Sequence, residues 1–372
     1  MIYADNAATT PLDIDAFEKM KQFLLSDYGN ASQPYSFSRA AKKALKDART
    51  TIAECICALP EEIYFTSGGT ESDNWAIKGL QAFGDDRATI TSIIEHHAVL
   101  NACAATEKLG FPVAYLSVDE HGIVLPEVLR DAIASKTKLV SIMLANNEIG
   151  TIEPVKELAQ IAHAHGALFH TDAVQAVGHI PIDVNALGVD MLSASGHKFN
   201  APKGIGFLYI RNGVSIHPYA DGGAQEFGMR AGTENVAAIV AMAVALKKNC
   251  ANMQEMQRKL LRMEADFIQI LDDAGVDYIR NGSNNRIPGN INISIRGVTG
   301  EMLLHRLDLK GIYISTGSAC DSAHTRVSHV IESIGVPDTY AQGTIRVSFG
   351  SANNESDAKT VAENIVDVLK MR

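Results

Sequence analysis

Short runs of apolar, often β-branched residues alternate with helical patterns through the middle of this chain of 372 residues. Such alternation is typical of βαβ units and predicts a mainly parallel sheet covered by helices. Seven runs are predicted to be strands: residues 63–65, 89–94, 113–116, 139–144, 167–170, 191–193 and 205–210. Because open α/β sheets bind ligands at the carboxyl ends of their strands, we expect the functional site in the polar clusters that follow these runs.

The pattern changes after the seventh run. From residue 234 to about residue 271, apolar residues recur at helical spacing, which predicts a long helix leading into a second domain. Residues 290–295, 312–315 and 344–349 are then predicted to be strands with helices between them, and residues 356–369 a final helix. The C-terminal part is therefore expected to form a smaller α+β domain.

Charge and cysteine usage narrow the expected partners and location. The formal net charge of −10 has the wrong sign for a general binder of phosphate backbones, so we expect no nucleic acid partner. Five irregularly spaced cysteines indicate free thiols in a reducing compartment. The N-terminus lacks the features of a signal peptide, and no uncharged apolar stretch reaches the roughly 18 residues of a membrane span. We therefore expect a cytoplasmic protein without membrane contact.

A lysine that directly follows a predicted strand is the strongest local indication of catalytic chemistry in the sequence. Lys198 ends the sequence Ser195-Gly196-His197-Lys198, among small and polar residues. Burial at such a position lowers the pKa of an amine and leaves it nucleophilic, able to form a Schiff base. The alternative is a solvated loop lysine, which is the more common situation for a lysine considered alone.

Two further signals strengthen the catalytic interpretation of Lys198. Asp172 ends another predicted strand, and a carboxylate there can hold a pyridoxal ring nitrogen protonated, although it can equally cap a helix. The sequence Ser67-Gly68-Gly69-Thr70 places a glycine turn and a hydroxyl before a helix start, which is suited to holding a phosphate. It has no Gly-Lys-Ser/Thr and is therefore not a Walker loop.

Seven motifs, in the same order along the chain, resemble those of the cysteine desulfurases, which are class V, fold-type I enzymes that use pyridoxal 5'-phosphate (PLP). The resemblance extends over nearly the whole chain, from residues 5–11 to residues 344–348. The motifs begin with Thr66-Ser67-Gly68-Gly69-Thr70 and include the sequences around His96, Asn147, Asp172, Lys198, Thr233 and Cys320.

The resemblance implies both a fold and a domain organisation. It predicts a fold-type I PLP-dependent transferase, whose large domain holds a mainly parallel seven-stranded sheet between helices. The large PLP-binding α/β domain is expected over residues 14–254. The small α+β domain, built from residues 1–13 and 255–372, is expected to carry the catalytic cysteine loop.

The resemblance also implies roles for individual residues. Lys198, Cys320 and His96 are expected to be catalytic, with Lys198 as Schiff-base lysine and proton carrier and His96 stacked on the cofactor ring. Substrate is expected to contact Arg346, which suits a carboxylate, together with Asn30 and Asn147. The expected cofactor-binding residues are Gly69, Thr70, His96, Asn147, Asp172, Gln175, Ser195, His197, Lys198 and Thr233, of which Thr233 would reach the phosphate of the neighbouring subunit in a homodimer.

Cys320 is the residue that would separate this activity from that of other pyridoxal enzymes. A thiolate on a loop of small residues can reach substrate, whereas a lone cysteine is otherwise more often an inert apolar residue. The other four, Cys55, Cys57, Cys103 and Cys250, are predicted to serve packing or the helix surface. No metal site is predicted, because the one-residue gap between Cys55 and Cys57 does not suit zinc.

The predicted function is the PLP-dependent conversion of L-cysteine to L-alanine, with sulfur captured as a persulfide on Cys320. The expected sulfur acceptor is an iron–sulfur scaffold or a tRNA-thiolation enzyme. Two alternatives remain open at this point. One is a related class V lyase or aminotransferase acting on selenocysteine or another β-substituted amino acid. The other is a PLP-binding sulfur-transfer scaffold without turnover, suggested by Tyr35 and Ser38, which depart from the family pattern.

Overall fold

The computed structural model describes residues 1–81, 87–316 and 327–370. The α-helices in this part of the chain are α1 (Ile14–Leu25), α2 (Arg39–Cys55), α3 (Gly69–Lys78), α4 (His97–Glu107), α5 (Pro126–Ala132), α6 (Val155–Ala164), α7 (Val184–Leu187), α8 (Val236–Asp273), α9 (Gly300–Asp308), α10 (His329–Ser333), α11 (Asp338–Ala341) and α12 (Glu355–Lys370). The strands are β1 (Ile2–Tyr3), β2 (Ile63–Thr66), β3 (Ala88–Ser92), β4 (Val113–Leu116), β5 (Thr137–Ser141), β6 (Leu168–Asp172), β7 (Met191–Ser195), β8 (Gly206–Ile210), β9 (Tyr278–Arg280), β10 (Asn290–Ile295), β11 (Ile312–Tyr313), β12 (Ser315–Thr316) and β13 (Thr344–Ser348).

Among the described residues, seven strands form the central sheet in the order β2-β8-β7-β6-β5-β3-β4. All seven predicted runs are present in it. Only β8 runs against its neighbours, since it pairs antiparallel with both β2 and β7. The remaining pairs are parallel, so the predicted mainly parallel sheet is confirmed.

Both faces of this sheet are covered by helices. Val140 and Leu192 point to one apolar core, which includes residues of α2, α6 and α8, whereas Leu139 and Met191 point to the other, which includes residues of α3 and α4. Successive strand residues thus serve opposite faces, as expected for a sheet buried on both sides. The predicted sandwich of helices around the sheet is confirmed.

A second core lies in the C-terminal part of the chain. The sheet β12-β13-β10-β9 packs there with residues of α8, α9 and α12 around Phe267 and Ile345. Residues of the N-terminal segment belong to this part too, because Ile2 and Tyr3 pair with Ile312 and Tyr313. These contacts agree with the predicted small domain, whose boundaries at residues 13 and 254 stay a prediction.

The strand predicted over residues 312–315 is instead two short strands. β11 pairs with β1, whereas β12 joins β13 in a different sheet. A short apolar run indicates extended backbone but does not specify which neighbour completes its hydrogen bonds.

The long helix predicted over residues 234–271 is observed as α8. By length and composition it could cross a membrane, yet half of its most apolar window is buried inside the protein, where it packs against α1, α2 and α12. Its apolar residues are therefore used for packing between elements.

Candidate active site

A cavity of about 300 Å³ opens at the carboxyl ends of β6 and β7, beside the start of α3. It is lined by most of the residues predicted from the sequence to form the site. These are Gly69, Thr70, His96, Asn147, Asp172, Gln175, Ser195, His197, Lys198 and Arg346. Residues far apart in the chain thus share one surface, as expected for the carboxyl edge of a parallel sheet.

Lys198 enters this cavity from a single 3-10 turn, Gly196–Lys198, that follows β7 directly. Its side chain is half-buried, and Nζ donates to the carbonyl oxygens of Ala7 at 2.7 Å and Ala8 at 2.8 Å. Gln175 donates from Nε2 to the same Ala7 oxygen at 2.9 Å. The N-terminal segment therefore holds the amine in place through backbone groups.

Asp172 presents a buried carboxylate at the end of β6. One oxygen, Oδ1, accepts a hydrogen bond from the backbone N–H of Val174 at 2.9 Å. Burial raises the pKa of Asp172 to about 6, while the Val174 N–H and the charge of Lys198 act in the opposite direction. The ionised form is therefore the main one at neutral pH.

A second carboxyl group, that of Asp73 on α3, lines the same cavity and is 1% exposed. Within the described part of the chain, its Oδ1 has no hydrogen-bond partner, and it lies 3.8 Å from Nε2 of His170. Burial and the charge of Asp172 raise the pKa of Asp73 well above its usual value. Because two buried carboxylates in one place repel each other, Asp73 retains its proton in preference to Asp172.

The glycine turn before α3 gives the cavity a wall of backbone. Gly68 has φ of 148°, a conformation that side-chain-bearing residues rarely adopt. A Cβ atom on Gly69 would lie 2.6 Å from Cγ2 of Val174. The absence of side chains here exposes the first N–H groups of a ten-residue helix, where anions are favoured.

Glu71 ties this helix to a distant loop. Its carboxylate accepts a hydrogen bond from the Ser67 N–H at 3.1 Å and forms an ion pair with Arg230, whose Nε lies 2.9 Å away. Arg230 lies three residues before Thr233, so the loop is fixed beside the start of α3.

Two histidines in the cavity are neutral at neutral pH. Burial, together with the charge of Lys198, lowers the pKa values of His96 and His197 to about 4. His96 caps α4, and its Nδ1 accepts the Ala98 N–H at 3.1 Å, which leaves the ring proton on Nε2. His197 contacts Thr9 Oγ1 through Nδ1 at 3.1 Å.

Arg346 on β13 also lines the cavity and is 3% exposed. It donates from Nη1 to the Asn147 carbonyl oxygen at 2.8 Å and from Nη2 to Asp5 Oδ1 at 2.7 Å. The cavity lining thus includes a guanidinium, a lysine amine and the N-terminus of a helix.

Two predicted site residues, Asn30 and Thr233, do not line this cavity. Asn30 is half-buried in a turn and accepts the Ser32 N–H through Oδ1. Thr233 is exposed and lines a separate, smaller pocket with Ser67 and Arg230. Cys320 lies outside the described residues. The roles of these three residues stay predictions, as do the roles of the residues that line the cavity.

Several residues that the structure places at the site were not predicted from the sequence. Asp5 was present in the N-terminal motif, but nothing in the sequence connected it with Arg346. Asp73 lies three residues after Thr70 on the same helix face. This spacing is the sequence feature that could have indicated that Asp73 lies at the site. His97 and His329 also line the cavity, with their rings 4.9 Å apart.

Comparison with known proteins shows the family to which this chain belongs. The family described as Aminotransferase class-V matches residues 2–361. The chain is 46% identical to Cysteine desulfurase IscS of Methanosarcina thermophila over 99% of this chain and 92% of that protein. The chain belongs to the cysteine desulfurases of the class V aminotransferase family. The predicted family, fold class and enzyme class are thereby confirmed.

Solved structures of this family share the whole fold. A NifS-like protein superimposes with a TM-score of 0.94 at 36% identity, covering 100% of both chains. SspA, solved in complex with cysteine, gives a TM-score of 0.84 at 35% identity over 94% of this chain and 99% of its own. The site described above therefore lies in a fold that the cysteine desulfurase family shares.

Proposed function

We propose that the cavity binds pyridoxal 5'-phosphate and L-cysteine, and that the protein releases L-alanine while Cys320 takes up the sulfur. Lys198, Asp172 and Arg346 in one cavity are the observation that carries this proposal. Membership of the cysteine desulfurases supports it, as does the cysteine bound by the structural relative SspA.

The residues present fit the cofactor at each of its ends. The backbone of Gly69, the hydroxyls of Thr70 and Ser195, and His197 would hold the phosphate at the α3 N-terminus. Lys198 would hold the aldehyde carbon, since its amine is already fixed beside Ala7. Asp172 would face the ring nitrogen, Gln175 the ring oxygen, and neutral His96 the ring face. When bound, the cofactor supplies an electron sink for the electrons of the substrate Cα–H bond.

The protein residues divide the remaining work between them. Arg346 binds the α-carboxylate of L-cysteine through paired N–H donors, and Asn147 and Asn30 assist it. Lys198 would carry the proton at Cα, because its amine lines the same cavity as Arg346 and Asp172. His96, uncharged and with its proton on Nε2, is suited to donate a hydrogen bond near the substrate.

Sulfur transfer balances without an external oxidant. The Cys320 thiolate attacks the substrate sulfur, the substrate C–S bond breaks, and an S–S bond forms. Cysteine and the Cys320 thiol thus become alanine and a Cys320 persulfide, and Cβ receives the proton. Ser328 and His329, which follow Cys320 by eight and nine residues, line the cavity and support this role.

The proposed partners are a second copy of this chain and a sulfur acceptor. We propose a homodimer in which Thr233 of one subunit contacts the cofactor phosphate of the other, which fits its exposed position beside Ser67. An iron–sulfur scaffold or a tRNA-thiolation enzyme would take the persulfide sulfur. The expected cytoplasmic location stays a prediction.

The test is quantitative product analysis. Wild-type protein should convert L-cysteine to equimolar alanine and, with a reductant, sulfide. Cys320→Ala should keep bound cofactor and lose most sulfide production. The exposed Cys57 provides the matched control, since Cys57→Ala should change neither product. Mass spectrometry after brief exposure to cysteine should find one extra sulfur atom on Cys320. Undiminished turnover in Cys320→Ala would reject this cysteine as the sulfur acceptor.

A further inference from the structure

Arg346, the proposed ligand of the substrate carboxylate, is held in its position from two sides. Nη1 donates to the Asn147 carbonyl oxygen at 2.8 Å, and Nη2 donates to Asp5 Oδ1 at 2.7 Å. A guanidinium is planar, so two hydrogen bonds to separate partners fix the direction in which its other donors point. Asp5 therefore provides one of the two hydrogen bonds that fix the orientation of the guanidinium.

Asp5 is itself anchored to the strand that carries Arg346. Asn6 donates its N–H to the Ser348 carbonyl oxygen at 3.1 Å, and the Ser348 N–H donates to Ala4 at 2.8 Å. Tyr3 adds a hydrogen bond from its hydroxyl to the Asp5 carbonyl oxygen at 2.9 Å. Arg346 and Ser348 lie two residues apart on β13 and thus share one face.

The same segment also holds the reactive lysine. Ala7 and Ala8 accept hydrogen bonds from Lys198 Nζ at 2.7 and 2.8 Å. Asp5 and Ala8 are three residues apart, which limits their separation to roughly 10 Å in an extended chain. In an amino acid substrate the carboxylate is bonded directly to Cα. Residues 5–8 therefore contact both groups that the substrate must meet.

A competing possibility is that Asp5 occupies the place of the substrate carboxylate and blocks Arg346. The geometry favours positioning instead. Asp5 makes one hydrogen bond through Oδ1, whereas a carboxylate bound in a guanidinium fork takes two parallel bonds. Arg346 Nε is buried and has no hydrogen-bond partner among the residues that the structure describes. An unpaired buried donor is unfavourable, so Nε is suited to a ligand that would satisfy it.

We propose that Asp5 is a positioning residue, which orients Arg346 for the substrate α-carboxylate and thereby sets the affinity for amino acids that carry one. This inference rests on the proposed function. Asp5 acts in two ways: its oxygen fixes Nη2, and its negative charge compensates the positive charge of the buried guanidinium. Asparagine at this position would keep the oxygen and remove the charge.

The test compares Asp5→Ala and Asp5→Asn with wild type, using KM and kcat for L-cysteine. Asp5→Ala should raise KM about tenfold and change kcat by less than about twofold, because carboxylate binding weakens while Lys198 is untouched. Asp5→Asn should raise KM by about threefold, since its amide oxygen replaces the hydrogen bond. Calorimetric titration with L-alanine should show the same order of dissociation constants without any turnover.

The matched control is Tyr3→Phe. Tyr3 donates to the backbone of Asp5 and Thr9 and makes no hydrogen bond to Arg346. The backbone hydrogen bonds of Ala4 and Asn6 with Ser348 remain in Tyr3→Phe, so the Asp5 carboxylate should stay in place. KM should then stay within about twofold of wild type. Thermal unfolding and cofactor content identify a variant that fails to fold, and in that case Asp5→Asn carries the comparison.

Three outcomes would overturn the inference. They are an unchanged or lowered KM in both Asp5 variants, an equal rise in KM in Tyr3→Phe, and a fall in kcat at constant KM. A wild-type protein that forms no alanine from cysteine would instead reject the proposed function, whereas a wild-type protein that turns over with an unaffected Asp5→Ala would reject only the role of Asp5.

Discussion

The amine of Lys198 lies 2.7 Å from the carbonyl oxygen of Ala7, nearly two hundred residues away in the sequence. A second bond, to Ala8, is 2.8 Å long. The first residues of the chain thus form part of the wall around the proposed catalytic amine. Side-chain chemistry and backbone carbonyls together determine where that amine points.

Lys198→Ala should abolish covalent attachment of the cofactor and lower alanine formation by about 10²–10⁴-fold, because the proposed proton carrier at Cα is removed. Borohydride reduction followed by mass spectrometry should show the cofactor mass on wild type and not on the variant. The exposed Lys203 provides the control, and Lys203→Ala should keep the adduct. Attachment of the cofactor to another lysine would contradict the assignment.

The two carboxyl groups in the cavity should respond differently to substitution by the amide. Burial and the charge of Asp172 raise the pKa of Asp73, so Asp73→Asn replaces a neutral acid by a neutral amide. We expect kcat to change by less than about threefold. Asp172→Asn removes the charge proposed to pair with the ring nitrogen and should lower kcat by about 10²–10⁴-fold. Similar losses in both variants, measured at equal cofactor content, would refute this division of roles.

Gly69→Ala should weaken cofactor binding about tenfold, because the added Cβ would lie 2.6 Å from Val174 Cγ2 and displace the start of α3. The dissociation constant can be measured by adding pyridoxal 5'-phosphate back to cofactor-free protein. Val174→Ala removes the clashing methyl group, and the double variant should regain most of the affinity. A double variant as weak as Gly69→Ala would show that the steric explanation is wrong.

Glu153 should make the free energy of unfolding decrease as pH rises. The side chain is 4% exposed, and burial raises its pKa to about 8, with the Val124 N–H opposing and the Asp119 charge adding to the rise. Below about pH 4.5 the carboxyl group is protonated in both folded and unfolded chains. Between about pH 4.5 and 8 the unfolded chain releases this proton while the folded protein keeps it, so the contribution of Glu153 to stability is lost as pH rises.

Glu153→Gln has no proton to lose, so its melting temperature relative to wild type should increase over this pH range, by roughly 2–4 °C. Thermal unfolding monitored by circular dichroism at pH 5 and pH 8.5 provides the comparison. Glu120→Gln alters the net charge equally at an exposed position and should show no such trend. A difference between Glu153→Gln and wild type that does not change with pH would disprove the assignment of a raised pKa to Glu153.

Local patterns were sufficient for much of the fold. All seven central strands were predicted because β-branched runs and the polar residues after them are properties of neighbouring residues. β10 was predicted with the residues that it has, Asn290–Ile295. β1 and β9 were not predicted, since two or three residues carry no periodic signal and acquire their extended form from the strands beside them.

The candidate site divides in the same way. Lys198, Asp172 and the turn at Gly69 were visible in the sequence, because each follows a strand and bears the residue type that its chemistry needs. The sequence alone thus determined the family, the sheet and the proposed chemistry. The pairing of Asp5 with Arg346 and the nearness of Asp73 to Asp172 were decided only by tertiary structure. Contacts between residues so distant in sequence depend on how strands and helices pack, and the pKa of a buried group depends on the charges that this packing places around it.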